Sequence, residues 1–378
     1  MKNTIKHSVL TLLFVALMGS QASAQLSVFN RFSPLHPKEY RNLSLRFETS
    51  FFLQNNEYFN RFVEGATGIG VYAQPTLQYY FLPNLKVNAG VFALKYAGRN
   101  GFSQVTPILS IQYEPLPQLD IVLGSIYGSM NHQLAEPIFR YEKFYTDPVE
   151  YGMQFLLHTR KIKSELWLHW VHYIMPGDTA NERLTVGNNT TVQLVQKKNW
   201  SLELPFQWLI IHTGGQLAPP PRYTTTLMNG MSGLTYKQKT GLHSSLWLEQ
   251  QYFIYYGANL TDPGQPLSQP YKNGFGTYSK VRFNYRNFSF MTGYWYANRF
   301  IAPKGSYLFQ SVSQIDHYTN PIRKLWTTKL WYHKNINNLL KLEVRLSTYY
   351  DLAQKNLDYS YSFYVILNQD FFLTRYRH

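Results

Sequence analysis

The chain has eleven histidines, many serines, thirty-six basic side chains and no cysteine. Thiolate metal sites, disulfides and cysteine nucleophiles are therefore excluded. His169-Trp170-Val171-His172 has metal-ligand spacing only on a helix. On a strand, positions three apart point to opposite faces, so the two imidazoles would not share an ion. His158 and His172 are expected at a membrane interface or on a lumen wall. No G-x-S-x-G turn presents a serine nucleophile. Gly65-Ala66-Thr67-Gly68-Ile69-Gly70 is glycine-rich, but it leads into a strand and offers no helix N-terminus to phosphate. What remains is electrostatic chemistry: Arg46 and Glu48, then Lys280 and Arg282, then Lys341, Glu343 and Arg345. Each set has one residue between its charges, which puts the charges on one face of a strand. Such a wall lines an anion-favouring pore, or pairs internally and only fills the space. No catalytic, cofactor-binding or metal residue stands out.

The elements that would carry these charges repeat along the chain. Leu340, Leu342, Val344 and Leu346 alternate with Lys341, Glu343, Arg345 and Ser347, a period of two with one apolar and one charged face. The same unit recurs about every twenty residues from Leu43 onward. In strand 1, Leu43, Leu45, Phe47, Phe51 and Leu53 would face lipid, and Ser44, Arg46, Glu48 and Ser50 would face inward. Sixteen strands result, or fourteen if a weak hairpin is a folded loop. Leu184–Gln196 and Tyr223–Tyr236 are the weakest, the second interrupted by Gly230 and Gly233. Short turns such as Pro83-Asn84, Arg160–Lys163 and Arg286-Asn287 alternate with longer polar connections, of which Met130–Asp147 and Phe300–Asn320 are rich in aromatics. The expected fold is all-β: a membrane-spanning antiparallel up-and-down barrel. Inside a bilayer every backbone polar group needs a partner, so the last strand must pair with the first.

The N-terminus reads as a secretory signal. Lys2 and Lys6 precede an apolar run, Val9–Met18, and Ala22-Ser23-Ala24 offers a cleavage site. The divisions are a signal at 1–24, a short periplasmic lead-in at 25–42 and a barrel at 43–378. No later apolar run is long enough for a membrane helix. Aromatics make up 17% of residues, while mean hydropathy is −0.31, as when lipid-facing residues are diluted by lumen residues and aromatic girdles mark both interfaces. Removing Lys2 and Lys6 takes the net charge from +15 to +13. An exported chain meets no nucleic acid. Outer-membrane lipid, lipopolysaccharide phosphates and anionic solutes are the expected partners.

The signal, the alternating hairpins and the aromatic last strand (Tyr359, Tyr361, Phe363, Tyr364, Phe371, Phe372) together resemble the outer-membrane β-barrel proteins of Gram-negative bacteria. The chain departs from them in ending Tyr376-Arg377-His378, where such barrels commonly end on an aromatic residue. The resemblance implies residence in the outer membrane. It leaves three function classes open. The first is a non-enzymatic pore for small solutes, favouring anions through the charged residues above, with no cofactor. The second is an accessory barrel docking envelope proteins through the 130–147 and 300–320 loops. The third is a membrane-embedded hydrolase.

Overall fold

A computed structural model describes Phe29, residues 31–215, 217, 224–259, 269–316, 318–337 and 339–376. The expected signal at 1–24 lies outside the described residues. Sixteen antiparallel strands close into one barrel: β1 Asn42–Glu57, β2 Ala66–Leu82, β3 Leu85–Tyr96, β4 Gln104–Leu116, β5 Leu119–Ile126, β6 Glu150–His158, β7 Ile162–His172, β8 Arg183–Gln196, β9 Trp200–Thr213, β10 Thr225–Lys239, β11 Ser244–Asn259, β12 Asn273–Tyr285, β13 Phe288–Asn298, β14 Ile322–Asn335, β15 Leu340–Asp351 and β16 Asn356–Arg375. Both weak strands, β8 and β10, are present. β16 seals to β1 along its length, from Asn42 opposite Arg375 to Glu57 opposite Tyr359.

Alternation sorts the two faces. Phe51, Leu109, Val281 and Leu346 are exposed on the outside, while Arg46, Glu48, Ser50, Glu343 and Arg345 are buried within. The short turns mark the periplasmic end and the long connections the outer end.

The outer half of the lumen is filled. Inward residues such as Phe253, Trp295 and Tyr349 pack against Ile138 and Phe139 of the 127–149 connection and against Phe300, Ile301 and Phe309 of the 299–321 connection. A second cluster joins Phe52, Tyr72, Phe92 and Tyr364 to Phe144 and Tyr145. Phe139, Phe144, Tyr145, Phe300 and Phe309 of the two long loops are therefore buried inside the barrel, not displayed at its mouth. Glycines make room for the largest inward rings. A Cβ on Gly276 would meet the Trp295 ring at 2.4 Å, and one on Gly187 would meet Trp167 at 2.3 Å.

Wall groups bind the loop backbone. Asn229 donates to the Ile301 carbonyl (2.7 Å), the Trp295 indole to that of Phe309 (3.0 Å) and Arg323 to that of Leu308 (2.9 Å). The loops also join each other, the Arg140 amide donating to the Lys304 carbonyl (2.8 Å) and the Ser306 amide to that of Glu136 (3.1 Å).

Phe29 and residues 31–33, within the segment read as a periplasmic lead-in, contact groups inside the barrel. The Phe29 ring packs on Phe144 (4.3 Å between centroids) and Tyr364 (4.9 Å). The Arg31 amide donates to Asn131 (2.6 Å), and Lys86 reaches the Ser33 carbonyl (3.2 Å).

Candidate functional site

The charges singled out in the sequence all sit on inward positions, but they sort into separate groups. On β1, Arg46 pairs with Glu48 at 2.9 Å, and both are buried. Arg46 also donates to the Arg31 carbonyl (3.3 Å), which ties the wall to the N-terminal segment. On β12, Lys280 and Arg282 share Glu249 of β11, at 2.6 and 3.4 Å. On β15, Arg345 pairs with Glu343 and lies over the Phe29 ring, 4.8 Å from its centroid. Lys341 is half-buried at the periplasmic end of the same strand. The charge set is thus largely neutralised where it stands. Buried ion pairs need such partners, because an unpaired charge away from water is costly.

The 127–149 connection brings two features that the alternation pattern does not reveal. Glu136 is buried, takes an ion pair from Lys329 of β14 and accepts a hydrogen bond from Tyr349 of β15 (2.7 Å). His132 is fully buried against Trp167, with rings stacked 3.7 Å apart. Its Nδ1 meets Glu165 of β7 at 2.5 Å and its Nε2 meets Glu150 of β6 at 3.1 Å. Burial disfavours the imidazolium, but the two carboxylates outweigh it and hold the His132 pKa up at about 9. With Glu165 on Nδ1 and Glu150 on Nε2, the ring joins the 127–149 connection to β6 and β7 and has neither nitrogen free for a substrate. Ser129 lies one turn earlier with φ +54°, and its buried hydroxyl makes no hydrogen bond among the described residues.

Between these groups and the short turns lies a cavity of about 490 Å³, lined among others by Glu165, Lys280, Arg282 and, nearest the turns, Arg160, Lys161 and Lys163. His158 also lines it. His169 and His172 depart from expectation. A bulge at Val171 sets His172 opposite Arg183, while Trp170 stands opposite Leu184. One inserted residue reverses the parity of the strand, so His172 shares the inward side with His169. Among the described residues, no group of three or more His, Asp or Glu side chains forms a metal site.

One hydrogen-bonded pair of a base and a hydroxyl stands on the opposite, lipid-facing surface. His212 near the outer end of β9 is directly across from Thr226 of β10, with its Nδ1 2.9 Å from Thr226 Oγ1. Their neighbours Ile211 and Leu227 take the inward positions, Leu227 being buried, which turns His212 and Thr226 outward. Sequence reading missed this pair, because its two members lie on either side of a long loop and only the strand register joins them.

A closed sixteen-strand antiparallel wall, apolar outside and polar within, makes this an outer-membrane β-barrel protein. Within that class, a profile of the lipid A 3′-O-deacylase-type family matches residues 35–376, nearly the whole length of the barrel, and the chain belongs to that family. Solved structures with a similar fold include a loop L8 deletion of OmpT, an outer-membrane protein of Vibrio cholerae. It is 10% identical with a TM-score of 0.51, over 86% of this chain and 99% of that one. OprD of Pseudomonas aeruginosa is 12% identical with a TM-score of 0.49, over 93% and 100%. No curated protein sequence matches the chain.

Proposed function

We propose that this chain is an outer-membrane hydrolase that removes an ester-linked acyl chain from a lipid A-type glycolipid. The observation that carries the reading is its membership of the lipid A 3′-O-deacylase-type family across residues 35–376. The filled outer lumen supports it: Trp295, Phe300 and Phe309 are fully buried where an open channel needs water. Export through a signal cleaved near Ala24 brings the protein to the membrane that holds this substrate. The test is the mass spectrum of lipid A from Gram-negative cells with and without the chain. A new species lighter by one acyl chain is the expected result, and an unchanged spectrum counts against the reading.

A second reading is a gated solute channel, favoured by the cavity of about 490 Å³ with Arg160, Lys161 and Lys163 towards its periplasmic end. It requires the 299–321 connection to leave the lumen. Planar-bilayer recording of the purified barrel then gives anion-biased conductance steps, and a silent bilayer counts against it.

A further inference from the structure

The lipid-facing pair at the outer rim has a chemistry that the wall does not need. Trp170, Leu184, His212, Thr226 and Ala258 follow one another across β7 to β11 as successive register partners. Trp170 is 38% exposed, and Tyr256, opposite Met228 in the next outward pair, is 48% exposed. Exposed Trp and Tyr mark the depth where hydrocarbon meets headgroups. The acyl ester bonds of a membrane lipid lie at that depth. His212 and Thr226 are each half-buried, so both remain within reach from outside the barrel.

From this geometry we infer that Thr226 is the nucleophile and His212 the general base of the deacylation, an inference that rests on the function proposed above. In the tautomer with Nε2 protonated, Thr226 Oγ1 donates its hydrogen to His212 Nδ1 across the observed 2.9 Å. Oγ1 attacks the carbonyl carbon of the acyl ester and its proton passes to Nδ1. The carbon–oxygen bond to the sugar breaks, and the imidazolium returns the proton to the leaving alkoxide, leaving an acyl-threonine ester. Water then attacks that ester, giving one proton to Nδ1. The bond to Oγ1 breaks, Oγ1 takes the proton back, and a free fatty acid departs. The substrate class is a lipid whose ester sits at the membrane surface, approached sideways from the outer leaflet rather than through the lumen.

Two measurements test the assignment on the full chain in detergent micelles: acyl release from lipid A, and acylation by a long-chain β-lactone mapped by peptide mass spectrometry. Heat-dependent gel mobility confirms that each variant is folded. In the expected result the β-lactone modifies Thr226. Thr226→Val and His212→Ala then lose both readouts by about a hundredfold or more, while Thr226→Ser keeps them. Acyl release that survives in Thr226→Val overturns the pair and leaves the deacylase reading standing. Labelling of Thr226 that depends on His212, without acyl release from lipid A, keeps the pair and removes lipid A as its substrate. Absence of both readouts in the unmodified chain overturns both.

Discussion

Glu136 is the residue on which the fit between loop and wall turns most sharply, since it neutralises Lys329 and receives the Tyr349 hydroxyl in a buried setting. Glu136→Ala leaves Lys329 without a partner away from water, at a cost of about 3–5 kcal/mol. The thermal midpoint in micelles drops accordingly, while the double variant Glu136→Leu, Lys329→Met recovers most of it. His132 is expected to add a pH dependence whose sign follows from its two carboxylate neighbours. Its pKa is about 9 against 6.5 for a free imidazole, so the folded state binds the proton more tightly. The stabilisation is complete below pH 6.5, declines between 6.5 and 9, and is gone above 9. Glu150 and Glu165 are the carboxylates that meet it, and His169 lies against Glu150 at 3.3 Å. Thermal unfolding followed from pH 6 to 10 should show this decline in the unmodified protein and a flatter profile in His132→Gln.

Individual strands were legible because each side chain alternates between two solvents. Leu340–Ser347 follows the pattern residue by residue, and the strand built on it runs Leu340–Asp351. A lipid-facing position has no tolerance for charge. Leu109, midway along β4 and 62% exposed, faces hydrocarbon, and Leu109→Arg should cost about 2–4 kcal/mol in a bilayer. Denaturant titration of the refolded barrel measures this, and an unchanged midpoint would contradict the assignment of that face. The pattern failed at β7, where the bulge at Val171 moved His172 to the inward side. A bulge changes parity without changing composition, so nothing in His169-Trp170-Val171-His172 announces it. The sequence left the course of the loops open for a related reason. Aromatic residues in a long connection look the same in sequence whether they fold outward or, as Phe139, Phe144 and Phe309 do, into the lumen.

At the scale of the molecule, closure decides everything else. The seam between β1 and β16 is the pairing of greatest sequence separation, joining chain ends that lie more than three hundred residues apart. Deleting residues 356–378 removes that seam and exposes two sheet edges, which a bilayer does not tolerate. The truncated chain should lose the faster mobility of the unheated barrel on a detergent gel. What the sequence by itself determined is the wall: alternating apolar and polar residues can satisfy hydrocarbon and water together only in a strand whose neighbours close on themselves. What only the tertiary structure decided is the interior and the chemistry. Whether Glu136 meets Lys329, whether His132 lies between two carboxylates, and whether His212 touches Thr226 all depend on register and on how long loops return. Those contacts join residues far apart along the chain, and no local period encodes them.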